Sequence, residues 1–231
     1  AIDLGQSAGD IIFLSAAASE LALLSDAAGT LPDLPSLRLA NLMQLTHNMA
    51  VDMYLENTVS AAQLVIVRLL GGASYWSYGA EQLITLAREN SIHLAIVPGD
   101  DQPDPELMMY CTLPPEACHR LWQYCAHGGP KNAENLLNYA AALLDRDTSW
   151  KEPIPLVRAG YYWPDRSLPT RLDIQGQWQE NRPVAAIIFY RALLQSGDLR
   201  PVDALINGLI SESLNPLPIF ISSLKDAACA E

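Results

Sequence analysis

Gln63-Leu64-Val65-Ile66-Val67-Arg68-Leu69-Leu70 is an almost unbroken apolar run, stopped by Gly71-Gly72. It is too short for a buried helix of ordinary length, and its β-branched residues favour extended backbone. An apolar run without polar alternation is a strand covered on both faces, as in parallel sheets. The neighbouring sequence repeats the pattern. Upstream, Asp10-Ile11-Ile12-Phe13-Leu14-Ser15 is a second such run, and the helix-forming Ala16–Ala28 follows it as far as Gly29-Thr30. Leu31–Pro35 reads as a turn, Ser36–Leu42 as a strand and Met49–Ala62 as a helix. Downstream, Tyr78–Asn90 carries Leu83, Ile84 and Ala87 on one helical face, and His93–Val97 is a strand ended by Pro98-Gly99. Strand and helix alternate, which predicts βαβ units in an α/β fold with a doubly wound, mostly parallel sheet.

From Pro103 to Asp147 the pattern turns helical. Cys118, Leu121, Trp122 and Cys125 share one face, and Leu136, Leu137, Ala140, Ala141 and Leu144 share another. The reading is an N-terminal α/β domain with a helical extension over residues 1–150. Residues 151–183 hold five prolines and the cluster Tyr161-Tyr162-Trp163-Pro164, which predicts an irregular connection whose aromatics pack against something. Residues 184–231 read as the start of a second, Rossmann-like α/β domain: strand Val184–Tyr190, an N-cap at Asp198, the stripe Leu199, Val202, Leu205, Ile206, Leu209 and Ile210, and strand Leu217–Ser222. A single right-handed crossover cannot cover both faces of its sheet, so this second domain is expected to be truncated.

Composition narrows the function classes. The 231 residues carry 26 acidic against 14 basic side chains, a formal charge of −12, which repels phosphate backbones and argues against nucleic acid. Half of the residues are apolar, enough for a folded core. No apolar run approaches the roughly 18 residues needed to span a bilayer. No basic segment precedes the first apolar run as a signal peptide requires. Four cysteines (Cys111, Cys118, Cys125, Cys229) are too few for a disulfide scaffold, so reduced thiols in the cytoplasm are expected.

Several motifs compete for chemistry. Gly5-Gln6-Ser7-Ala8-Gly9 matches G-x-S-x-G, but it lies before the first strand, where a nucleophile elbow must follow one. Cys111, Cys118 and Cys125 recur every seven residues without the C-x-x-C spacing of zinc sites, so core thiols are the reading. Asp100, Asp101, Asp104 and Glu106 could hold a divalent cation, yet Asp104-Pro105-Glu106 is also a helix start with cap, proline and acidic first turn. The loop Gly71-Gly72-Ala73-Ser74-Tyr75-Trp76-Ser77-Tyr78 follows a strand, where α/β folds place ligands. Arg68, Gly71, Gly72, Tyr75, Trp76 and Tyr78 would suit a flat ligand carrying acidic groups, or the aromatics would pack an interface. Tyr190, Arg191 and Asp198 hold the equivalent place in the second unit. There Arg191 would bind a carboxylate or pair with Asp198. Neither G-x-G-x-x-G nor G-K-[ST] occurs.

Taken together, several strings resemble a known family. In order they are Leu34–Leu42, Val67–Gly72 with Tyr75-Trp76, Leu94–Asp101 ending Pro-Gly-Asp-Asp, Ala159–Pro164, Phe189-Tyr190-Arg191 through Gly197-Asp198, Gly208–Ile221, and Ser223-Leu224-Lys225-Asp226. This succession resembles the N-terminal region of the large, CobN-type subunit of aerobic cobaltochelatase, a family related to the magnesium chelatase large subunit. The resemblance implies a tetrapyrrole-binding enzyme component that receives Co²⁺ as substrate. The ring would be hydrogenobyrinic acid a,c-diamide, in aerobic cobalamin biosynthesis. ATP and Mg²⁺ would be used by AAA+ ATPase partner subunits and not bound by this chain. Insertion forms nitrogen–metal bonds, a ligase-type step in which the ring loses two protons and the ion its waters. The resemblance supplies no catalytic and no metal-contacting residue here, and a stretch of this length is not expected to insert metal alone. Arg68, Arg158 and Arg191 would suit the ring's peripheral carboxylates. A magnesium chelatase fragment and a non-catalytic tetrapyrrole-binding or scaffold module are the alternatives.

Overall fold

The computed structural model describes residues 1–225; Asp226 and Cys229 lie outside the described residues. The chain forms two compact units that divide between Pro155 and Leu156. In the first, β1 (Ile11–Ser15), β2 (Leu37–Asn41), β3 (Leu64–Leu69) and β4 (His93–Pro98) form a parallel sheet in the order β2-β1-β3-β4. Its helices are α1 (Ala18–Ala28), α2 (Asn48–Tyr54, prolonged by the π-helical turn Leu55–Val59), α3 (Ser77–Glu89), α4 (Pro105–Met108), α5 (Pro115–His127) and α6 (Pro130–Ala142).

The apolar runs are buried because successive side chains feed two cores. Ile12, Leu14, Val65, Val67, Leu94 and Ile96 pack with α2 and α3 through Ala50, Val51, Ala80 and Leu83. Ile11, Phe13, Leu64, Ile66, Ala95 and Val97 pack on the opposite side with Leu24 of α1, Leu121 of α5 and Leu136 of α6. The stretch 103–147 is therefore no appendage to the domain. Its two long helices complete one outer layer of the sheet, since α1 flanks β1 and β2 and leaves the rest of that face to be covered. Pro115 and Pro130 each stand in the first turn of their helix, where a missing N–H costs nothing.

Asp10 ties the starts of three strands together. Its carboxylate accepts from Ser36 N (2.9 Å), Ser36 Oγ (2.6 Å) and Gln63 Nε2 (2.7 Å). The Ser36 hydroxyl bond is the main reason its carboxyl sits below the usual value. Asp10→Ala is expected to cost about 1 kcal/mol at pH 7, at the low end for charge-assisted bonds because the site is wet. A carboxyl depressed by folding contributes above its unfolded value, near 3.9, and stops contributing as pH falls through its folded value. Urea unfolding at pH 7 and pH 3 should thus show the full wild-type advantage at the first and a smaller one at the second.

In the second unit, β5 (Ala159–Tyr161), α7 (Arg171–Gln175), β6 (Val184–Tyr190), α8 (Ala192–Ser196), α9 (Arg200–Ser211) and β7 (Asn215–Ile221) build a three-stranded sheet. Its order is β5-β7-β6; β6 runs parallel to β7, and β5 antiparallel. Ile187, Phe189 and Phe220 pack with Val202 and Ile206 of α9 and with Tyr162. The stretch 151–183 is thus more than a connection. It supplies the edge strand β5, the core residue Tyr162, whose hydroxyl donates to Asp203 Oδ1 (2.7 Å), and Trp178, whose Nε1 donates to Pro216 O (2.9 Å). The expected cap at Asp198 is also corrected. The residue flanking α9 is Leu199, without a side-chain cap, and the Asp198 carboxylate pairs with Arg200 (2.7 and 2.9 Å), not with Arg191.

Candidate functional site

A parallel sheet ordered β2-β1-β3-β4 has its switch point between β1 and β3, and α/β folds bind ligands beyond the carboxyl ends of such strands. Here that point is closed from within. Ser15 and Arg68 are register partners at the ends of β1 and β3. Ser15 Oγ donates to Glu20 Oε2 (2.7 Å), and Arg68 Nη1 forms an ion pair with Glu20 Oε1. Arg68 Nε also donates to Pro98 O (3.3 Å). Only 13% of the Arg68 side chain and 12% of the Glu20 side chain remain exposed. Burial works against the guanidinium charge, but Glu20, helped by Cys125 and Asp100, outweighs it, leaving the Arg68 pKa raised.

The open space lies one strand further along. A cleft of about 470 Å³ sits between the ends of β3 and β4 and the start of α4. Gly71, Gly72, Ala73 and Ser74 form one wall; Asp100, Gln102, Asp104 and Glu106 form the other. Gly71 and Gly72 have φ of +91° and +80°, so the turn out of β3 needs glycine at both positions. Asp104 Oδ1 caps α4, accepting from Glu106 N (3.0 Å) and Leu107 N (3.2 Å). Its other oxygen lies 3.8 Å from where a Gly72 Cβ would stand. The capping reading of this acidic segment holds, and the same residues also line the cleft. Carboxylates and loop backbone make its walls suited to ligand donors, such as amide or ammonium N–H, more than to ligand carboxylates.

The aromatics of the loop diverge. The Tyr75 ring lies against Gly71, 54% exposed, with its hydroxyl donating to Met43 Sδ (3.4 Å). Trp76 is buried, and its Nε1 donates to Leu45 O (2.8 Å). The Tyr78 hydroxyl donates to Asp52 Oδ1 (2.7 Å), which raises its pKa. Of the loop residues singled out from sequence, Gly71 and Gly72 line the cleft, while Tyr75 lies beside Gly71 and is not part of the lining. Arg68, Trp76 and Tyr78 have partners inside the unit. In the second unit, Tyr190 is exposed, Arg191 is buried with its backbone N–H donating to Ile221 O (2.8 Å), and Asp198 is held by Arg200.

The remaining motifs are structural. Ser7 of the G-x-S-x-G string accepts from Arg38 Nη2 (2.8 Å) ahead of β1. Cys118 and Cys125 are buried, and Cys111 is half-buried. A hydrogen bond between the Cys111 and Cys118 thiols lowers the first pKa and raises the second, while burial raises that of Cys125. Among the described residues, no three His, Cys, Asp or Glu side chains are grouped to hold a metal ion, and no helix is long and apolar enough to cross a membrane.

A family profile described as CobN/Magnesium Chelatase matches residues 122–231. The aerobic cobaltochelatase subunit CobN of a Sinorhizobium species is 44% identical over 235 residues, covering 98% of this chain. That of Pseudomonas aeruginosa is 42% identical over 228 residues, again with 98% coverage. The chain belongs to the CobN/magnesium chelatase family. It spans 18% of the length of each of these CobN relatives. The solved catalytic subunit of cobaltochelatase from Mycobacterium tuberculosis matches 94% of the chain with a TM-score of 0.66 and 22% identity, over 16% of its own length. That likeness speaks for the fold: a CobN-family stretch with a parallel four-stranded sheet between helices and a smaller second sheet.

Proposed function

We propose that this chain is part of the large subunit of an aerobic cobaltochelatase, a cytoplasmic, multi-subunit enzyme that inserts Co²⁺ into hydrogenobyrinic acid a,c-diamide during cobalamin biosynthesis. Identity of 44% across 98% of the chain to a CobN subunit carries this reading. Both curated relatives are named for cobalt, which favours it over a magnesium chelatase fragment. ATP and Mg²⁺ would act on AAA+ partner subunits, in keeping with a sequence that has no phosphate loop.

Within that subunit the cleft beside Gly71 and Gly72 would take one edge of the ring. Amide N–H groups at the ring periphery would donate to Asp100, Asp104 and Glu106. Docking of an ATPase subunit is the second role open to this stretch. The test is titration of a chain of the relatives' full length with hydrogenobyrinic acid a,c-diamide, followed by tryptophan quenching. Saturable binding is expected, weakened about tenfold, or roughly 1.4 kcal/mol, by Gly72→Ala, which strains the cleft wall without touching the core. Absence of binding by the intact chain would refute the cobaltochelatase reading. Binding indifferent to Gly72→Ala would place the ring elsewhere and leave docking as the role of this stretch.

A further inference from the structure

The second unit carries a sheet face across which, among the described residues, nothing is laid over β6. Strand register puts Ala186 beside Leu217, Ile188 beside Ile219 and Tyr190 beside Ile221, with Tyr161 of β5 next to Ile219. All of these point away from α9, whose Val202 and Ile206 pack on the opposite face with Ile187, Phe189 and Phe220. The outward face has no charged residue. Along β6 it is open: Val184 is 50% exposed, Ile188 60% and Tyr190 56%. A sheet made to face water on one side alternates apolar with polar residues, whereas one covered on both sides does not. The composition of β6 is of the second kind. Among the described residues, β6 also leaves its outer edge unpaired, since the sheet ends there and β5 occupies the far side of β7.

We propose that this outward face docks an amphipathic helix of the same polypeptide, drawn from the part of the relatives' length that this chain does not span, and that the helix leads to a strand added beside β6. The handedness of parallel connections makes the geometry specific. The step from β6 to β7 crosses in one direction and places α9 on one face. A strand added beside β6 is reached from β7 in the opposite direction. A right-handed crossover then lays its helix on the opposite face, the one that is apolar and open. The same addition pairs the free edge, which an apolar edge strand otherwise presents to aggregation. Tyr190 would then serve packing instead of ligand contact. The inference rests on the reading of this chain as part of a longer CobN-type subunit.

Cysteine footprinting tests it. Ile188→Cys, with Ala186→Cys as a second reporter, is made in this chain alone and in a chain of the relatives' full length. Maleimide incorporation at that site is followed by mass spectrometry, with far-UV circular dichroism as the check on folding. The new thiol should label rapidly in the short chain and at least tenfold more slowly in the long one. Equal rates in the two would overturn the proposal. So would slow labelling in the short chain together with a micromolar dimer that Ile188→Asp dissociates, because a second copy would then own the face. Protection of Ile188→Cys in a long chain that binds no corrinoid would leave this inference standing and remove the functional one.

Discussion

Arg68→Ala is expected to destabilise the first unit by about 3–5 kcal/mol, the cost of stranding one member of a buried ion pair. For a unit of this size that is roughly a 10 °C fall in melting temperature. The residue left behind is Glu20, whose side chain is 12% exposed and whose carboxylate loses the guanidinium while keeping the Ser15 hydroxyl. Glu20→Gln should be the milder change, because its amide can still bond Ser15 while Arg68 keeps Pro98 O as a partner. The double variant Arg68→Met/Glu20→Gln should be more stable than Arg68→Ala, since no unpaired charge remains buried. With Arg68→Met added as the matching single variant, thermal melts of Arg68→Met, Glu20→Gln and their combination close a cycle that isolates the pair. If Arg68→Ala melted within 2 °C of wild type yet lost corrinoid affinity, the guanidinium would belong to the ligand and the closed switch point would be a misreading.

That arginine marks where sequence reasoning runs out. Its position after Leu64 and Ile66, two residues apart along β3, already assigns it to the face that packs on α1. The partner, 48 residues away in the first turn of α1, reads from sequence only as an acidic helix start. The loop aromatics fail for a related reason. Adjacent residues in a tight turn point in different directions, so Tyr75, Trp76 and Tyr78 go to Met43, Leu45 and Asp52 respectively. Strands β1, β3 and β4 were legible because their apolar runs need cover on both faces, whereas β2, Leu37-Arg38-Leu39-Ala40-Asn41, mixes polar with apolar residues and is mostly half-buried. Strand β5 was not, because Ala159-Gly160-Tyr161 has no pattern of its own and is extended only by pairing with β7. The role of α5 and α6 as a sheet layer was hidden likewise. Their apolar stripes are plain, but what they cover is set by which face α1 leaves open.

Gly79→Ala is expected to cost about 3 kcal/mol, although alanine improves helix propensity by about 1 kcal/mol. A Cβ at Gly79 would stand 2.0 to 2.6 Å from three ring carbons of Trp76. That ring cannot retreat freely: it is 7% exposed, packed in the core with Ala80 and Leu83, and held by its Nε1 bond to Leu45 O. Overpacking of this kind costs about 1–3 kcal/mol or more. Pushing the indole off Leu45 would add about 1–3 kcal/mol for an orphaned buried donor. In a Trp76→Phe background the clash shrinks with the ring, so adding Gly79→Ala there should cost much less than in wild type. A Gly79→Ala protein as stable as wild type would refute the tight seating of Trp76 on α3. The seating matters for function because Trp76 closes the turn that begins at Gly71-Gly72. Its indole ties that turn to the segment after β2, across the carboxyl ends of the strands. If the cleft takes the ring as proposed, Gly79→Ala should loosen its wall and lower corrinoid affinity along with stability, whereas Arg68→Ala, at a side chain that touches the cleft only through Pro98 O, should lower stability first.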